Sequence, residues 1–205
     1  MSSSSTGSRR RGQYATTPAR RLQIVRAALA SFAEHGFERA SLRDIAARAG
    51  VTHAALLRHF AGKEELLLAA LTQREADEEE QAARIIALGT AGPAVLSAVL
   101  ADEFADPDYQ RNWMALAVAA TSPDHPAHDF FAKRRERMRT RFRTSSLRTA
   151  YDSPEVTADE KVVMVLAMMD GLRIQTLLDP SQDALRLLEI FMRAVIGPEP
   201  DESDA

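Results

Sequence analysis

The sequence predicts an all-α fold, on three observations. Apolar residues recur at three- and four-residue spacing along most of the 205-residue chain, the period of a helix with one buried face. Helix starts and stops repeat in the same grammar, with Ser, Thr or Asp before an apolar run and Gly or Gly-Pro after it. No stretch of four to eight residues alternates with β-branched enrichment, so no strand is expected.

Residues 1–17 are rich in Ser, Thr, Gly and Arg without periodicity, which reads as a flexible basic arm. Pro18 suits the first turn of a helix, and Leu22, Val25, Leu29 and Phe32 form its apolar stripe up to Gly36. Ser41 opens a second helix with Asp44 three residues on, and Leu42, Ile45 and Ala49 line it until Gly50. Thr52 caps a third helix running to about His59. A long helix is expected from Lys63 to about Leu88, before the break at Gly89–Pro93. Further starts fall at Asp106-Pro107, at His125-Pro126, at Thr157 with Glu160, and at Ser181 after Pro180. Gly197-Pro198 closes the last helix. The count is about nine helices. Four segments follow: the arm (1–17), a three-helix domain (18–62), a larger helical domain (63–197) and an acidic, unstructured tail (198–205).

Composition excludes several classes. The absence of cysteine removes disulfides, thiolate metal sites and thiol nucleophiles, and fits a reducing cytoplasm. The longest apolar runs, Trp113–Ala120 and Val162–Met169, are eight residues each, far short of a bilayer. The arginine-rich amino terminus lacks the apolar stretch of a secretory signal, and a cytoplasmic protein with no membrane association is expected. Charge is unevenly placed. Residues 1–70 hold eleven Lys/Arg against five Asp/Glu, a net of +6, while residues 71–205 hold fifteen against twenty-four, a net of −9. A basic head on an acidic body suits a polyanion bound at one end, although charge scatter reads the same way.

The second and third helices join through Ala49-Gly50-Val51, the spacing of a helix-turn-helix. Ala46 permits close approach, Gly50 admits a left-handed turn, and Val51 and Leu56 fill the corner. Helical hairpins with a glycine turn also occur in proteins that never touch DNA; the +6 charge of residues 1–70 and the basic arm favour DNA here.

From Ile24-Val25 and Ala27-Ala28, through Phe32-Ala33-Glu34-His35-Gly36-Phe37, Ser41–Ala46, Ala49-Gly50-Val51-Thr52 and His59-Phe60 to Lys63-Glu64-Glu65-Leu66, the chain resembles the TetR family of transcriptional regulators. The resemblance covers about fifty residues in order and spacing. It departs at Leu57, where the family commonly has a phosphate-binding tyrosine; Arg58 stands beside it. More loosely, Thr121–Pro126, Met169–Leu172 and Leu177–Pro180 resemble the BetI-type effector domain. The resemblance implies a ligand-responsive regulator, in most cases a repressor, that binds a palindromic operator in double-stranded DNA as a homodimer. It also implies that the last two helices pair across a two-fold axis, with Val162, Val163, Leu166, Leu187, Leu188, Phe191 and Val195 as the apolar residues there.

For DNA the candidates are Arg43 and Lys63 as phosphate contacts, and Thr52, His53, Ala54 and Arg58 on the exposed side of the third helix. His53 reads a base edge or is a surface histidine, and Ala54 can meet a thymine methyl. His59 orients or packs more naturally than it reads bases. Arg9, Arg10 and Arg11 lie along a minor groove or merely solubilise. For a small-molecule effector, Phe104, Trp113, Met114, Phe130, Phe131, Met138, Met164 and Met168 supply bulk and pliability, with Asp170, Arg173 and Gln175 as polar anchors; the same stripe also suits plain core. His125 and His128 with Asp124 and Asp129 do not make a metal site, because Pro126 intervenes and no distant third ligand is identifiable. No cofactor is expected. No HExxH, GxSxG, P-loop or GxGxxG occurs, so an enzyme or a helical protein-binding adaptor is the lesser reading.

Overall fold

The computed structural model describes residues 17–90, 93–144 and 156–196. The arm ahead of Thr17, with Arg9–Arg11, and the tail at 198–205 lie outside the described residues. Among those described there are nine helices and no strand: α1 (Thr17–Arg39), α2 (Leu42–Arg48), α3 (His53–Leu57), α4 (Lys63–Ala87), α5 (Pro93–Phe104), α6 (Pro107–Ala119), α7 (His128–Thr144), α8 (Ala158–Leu178) and α9 (Ala184–Ile196).

Local chemistry sets the ends. Gly36 breaks α1 with φ 74° and ψ 167°, a conformation open essentially to glycine alone. Asp106 caps α6 by accepting from Tyr109 N at 2.9 Å, with Pro107 in the first turn. Thr157 and Glu160 form a reciprocal capping box on α8. Three expected bounds shift. The third helix stops at Leu57 rather than His59. The seventh begins at His128, because Ser122–His128 closes into backbone turns before it. The ninth begins at Ala184 rather than Ser181: Asp179 gathers Ser181 and Gln182 into a turn, and Asp183 accepts from Arg186 N at 3.0 Å.

Packing produces two cores. The first joins α1–α3 to the start of α4 through Ile24, Ile45, Leu56, Phe60, Leu66 and Leu67, and continues into Trp113, Ala120 and Ala127. It therefore runs past the boundary expected at residue 62. The second gathers Leu100 of α5, Val165, Leu166, Met169 and Leu172 of α8, and Leu188 and Met192 of α9. Trp113 lies in the first core, and the cavity that it lines is also bounded by Leu166 and Met169 of the second.

Candidate nucleic-acid interface

The α2–α3 unit is built by its caps and its turn. Ser41 Oγ accepts from Arg43 N at 3.2 Å and starts α2. Gly50 takes φ 62°, a left-handed conformation that costs other residues about 1–2 kcal/mol. Val51 N then returns to Ala46 O at 3.0 Å and closes the corner. Thr52 Oγ1 accepts from Ala55 N at 3.1 Å and starts α3. Ile45, Ala46, Leu56 and Phe60 turn inward, and the guanidinium of Arg21 covers the Phe60 ring at 4.4 Å. The opposite side of α3 is left to solvent.

That side carries the expected residues. Thr52, Ala54 and Arg58 are exposed, while His53 and His59 are half-buried. Arg43, in the first turn of α2, is exposed, and no ion pair engages Arg43 or Arg58 among the described residues. Arg48 is different: it grips Glu34 of α1 through both guanidinium nitrogens. The hydrogen bond from Arg48 holds the Glu34 carboxyl below the usual carboxylate range. Leu57, at the position where the resembling family has tyrosine, is 43% exposed, an apolar group on an otherwise polar face.

Lys63 is placed otherwise than expected. Its ammonium donates to Glu38 O at 2.9 Å and sits 4.6 Å from the Phe37 ring centroid. It fastens the start of α4 to the end of α1 and has at most its remaining N–H groups for a phosphate.

Behind this unit, α6 reaches α1. Asn112 donates through Nδ2 to Ala33 O, and its Oδ1 stands 3.0 Å from where a Cβ on Gly36 would lie. His125 meets the Phe37 ring edge-on at 6.1 Å. The two histidines flanking Pro126 and Ala127 are loop fasteners: His125 Nδ1 accepts from Ala127 N at 3.1 Å, and His128 Nδ1 contacts Ala120 O at 2.9 Å. The described residues hold no cluster suited to a metal ion.

In the larger domain, Trp113, Met138 and Arg173 line one small cavity, together with Phe131, Arg134 and Asp170. The remaining expected ligand residues surround it or lie apart. Phe104 packs on the second core beneath Arg173, 5.9 Å from the guanidinium, and Met168 packs on the same core. Met114 packs on the first core. Phe130 faces an outer groove with His125 and Lys133. Met164 is 44% exposed on α8 and does not line this cavity.

The residues expected at the pairing face divide by burial within the chain. Val162, Leu166 and Leu188 are buried within the chain's own second core, Leu188 completely. Leu187 and Phe191 are half-buried against that core. The side chain of Val195 lies outside the described residues. The apolar groups presented outward are instead Val163, Met164, Ile174 and Leu178 of α8 and Ile190 of α9, with Leu178 76% exposed. Helix α8 is apolar on opposite sides, and the sequence alone does not say which side the core takes.

Sequence reasoning missed a buried ionic network. Glu103 pairs with Arg74 and, at 3.0 Å, with Arg173. Glu78 lies 3.0 Å from Arg74 and 2.9 Å from Arg134, and Glu75 accepts from Arg137. Burial pushes the Tyr109 phenol far above its ordinary value, with Glu103 adding to the shift. Apart from Arg74 and Glu78, one turn apart on α4, these partners are 29 to 70 residues apart in the chain. No local signal couples them.

Comparison with known proteins follows the same division. Residues 24–70 match the family model of bacterial regulatory proteins, tetR family. The HTH-type transcriptional activator FasR of Mycolicibacterium smegmatis is 42% identical over 71 residues, 35% of this chain and 32% of that protein. The match thus spans about a third of that relative's length. A TetR-family transcriptional regulator from Streptomyces coelicolor superposes with a TM-score of 0.64 at 20% identity, covering 86% of this chain and 94% of that one. The multidrug binding protein EbrR, complexed with imidazole, gives 0.59 at 23% identity over 90% and 98% of the two chains. At these identities the structures speak for the fold, and no helix among the described residues is long and apolar enough to cross a membrane. The amino-terminal match lies on the capped helix-turn-helix, so residues 24–70 are similar to the tetR family of bacterial regulatory proteins, and most of the chain shares the fold of these solved structures.

Proposed function

We propose that the protein is a ligand-responsive transcriptional regulator that binds a palindromic operator in double-stranded DNA as a homodimer. The observation that carries this reading is the solvent face of α3 and α2, where Thr52, Ala54, Arg58 and Arg43 stand exposed on a unit fixed by two caps and a glycine turn. A helix so presented fits a major groove, with its first residues at the base edges. Arg43 supplies phosphate contact and register, whereas Thr52, His53 and Ala54 supply sequence preference. The outward apolar face of α8, continued by Ile190, is the surface that a second copy would cover.

Control of DNA binding would run through α6. Trp113 lines the cavity in the larger domain, and the adjacent Asn112 is bonded to Ala33 O of α1. A ligand that enlarges the cavity shifts α6, and α6 carries that shift to the three-helix domain. A ligand that favours an arrangement misfitted to the operator spacing lowers DNA affinity. The repressor sense follows the family resemblance; FasR, by its name, is an activator.

The test is duplex binding across a salt series, followed by selection from a randomised duplex pool. Wild type should bind with an affinity that falls linearly on a logarithmic salt scale. Arg43→Ala should flatten that slope by about 0.9 for every phosphate that each subunit ceases to neutralise. His53→Ala should change the selected bases and leave the slope. The selected site should be an imperfect palindrome with half-sites about 34–36 Å apart or a multiple. A protein that binds no duplex at low salt would refute the reading.

A further inference from the structure

We infer that the effector is an amphipathic monocarboxylate, whose carboxylate takes over the place of Asp170 on Arg173 and Arg135 at the mouth of the cavity beside Trp113. The inference rests on the effector-binding part of the proposed function and adds the chemical class of the ligand.

The cavity measures about 70 Å³, room for about two waters at roughly 30 Å³ each. Organic ligands occupy about 300–1,000 Å³, so one wall must move. Trp113, Phe131, Met138 and Leu166 make the apolar side, and all are packed. The polar side is Arg134, Arg135, Asp170 and Arg173.

Charge identifies the movable part. Five guanidinium groups, Arg74, Arg134, Arg135, Arg137 and Arg173, meet four carboxylates, Glu75, Glu78, Glu103 and Asp170. Three of those carboxylates are fixed. Glu75, Glu78 and Glu103 are buried or nearly so, and each lies against two arginines. Asp170 is the exception, with its side chain 43% exposed, 3.2 Å from Arg173 and 3.8 Å from the exposed Arg135. It can swing into water at little cost, whereas Arg173, only 3% exposed, stays in place.

Arg173 is also incompletely satisfied. Its buried Nε has no hydrogen-bond partner, a state that costs a charged donor more than a neutral one. A carboxylate arriving from the cavity would supply an acceptor at this guanidinium, in the planar geometry arginine favours. It would restore the charge removed when Asp170 leaves. A neutral ligand would do neither, and a cation would meet a site with one arginine in excess. The apolar wall then receives the rest of the molecule.

The test is titration of the full-length protein, without DNA, by fluorescence of Trp113, the sole tryptophan. The probes are octanoate, octan-1-ol and octylammonium. Octanoate should bind about tenfold or more tightly than octan-1-ol, the factor expected for a charged hydrogen bond, and octylammonium should not compete. Asp170→Asn, which weakens the internal competitor at a half-exposed site, should tighten octanoate several-fold and leave octan-1-ol unchanged. Arg135→Ala, on the surface and harmless to the core, should weaken octanoate alone. Equal affinities for octanoate and octan-1-ol, or no response of octanoate to Asp170→Asn, would overturn the carboxylate assignment while leaving an effector cavity in place. No binding of any probe would overturn the assignment and the cavity's role together; duplex binding, measured separately, stands apart from both outcomes.

Discussion

Replacing Gly36 by alanine tests how the three-helix domain is tied to the body. Two penalties act on the same methyl group. The backbone at φ 74°, ψ 167° is a region that side chains avoid at a cost of about 1–3 kcal/mol. The new Cβ would also stand 3.0 Å from Asn112 Oδ1, tighter than an ordinary carbon–oxygen contact, so Asn112 must give by about a few tenths of an ångström and loosen its bond to Ala33 O, a further ~1 kcal/mol. Together the loss is about 2–4 kcal/mol. For a chain of this length each kcal/mol lowers Tm by about 2–4 °C, so the midpoint should fall by roughly 4–16 °C. A double-mutant cycle separates the two penalties. Asn112→Ala removes the collision and sacrifices the bond, so Gly36→Ala should cost less in that background by about 1 kcal/mol. Urea unfolding of the four proteins measures this directly. A Gly36→Ala protein within about 0.5 kcal/mol of wild type, or strictly additive effects, would refute the argument that the α1 break and Asn112 fit each other.

Two further outcomes are expected. Ile174→Asp or Leu178→Asp, on the outward face of α8, should leave the fold intact and convert a dimer to a monomer in sedimentation. Leu188→Asp should cost the fold itself about 3–5 kcal/mol, because Leu188 is wholly buried inside one chain. Glu160→Gln should lower stability at neutral pH and lose that effect in acid. Bonds from the Thr157 backbone, then its hydroxyl, hold the Glu160 carboxyl below its ordinary range; such a depressed group stabilises above its unfolded pKa and ceases to as pH falls through its folded pKa. Urea midpoints of the two proteins should differ at pH 7 and converge in the acid range.

The helices were legible because their ends are written locally. Thr157 with Glu160, Asp106 before Pro107, and Ser41 and Thr52 at the helix-turn-helix each satisfy free backbone N–H groups within three residues. The ninth helix shows the limit of that reading. Asp179, Ser181 and Asp183 all offer capping oxygens, and the choice of Asp183 depends on Asp179 being consumed by the turn before it.

What the sequence could not supply were distinctions between equivalent faces and pairs of distant charges. Val162, Met164 and Leu166 are all apolar and lie within five positions, yet the first and third enter the core and the second faces out. Periodicity finds a stripe, but α8 carries two, and only packing against α5 and α9 selects one. The arginine–carboxylate network poses the same difficulty in electrostatic form: on the sequence, Arg74, Glu103, Arg134 and Arg173 are ordinary surface residue types. Folding places Glu103 between Arg74 and Arg173; Glu103 and Arg173 are buried and Arg74 is half-buried, so the charge of the proposed effector would be felt at the more exposed acid beside them, Asp170. The exposed face of α2 and α3 is local chemistry on short helices, readable residue by residue; the cavity beside Trp113 and its ionic rim exist only after α4, α5, α6, α7 and α8 meet.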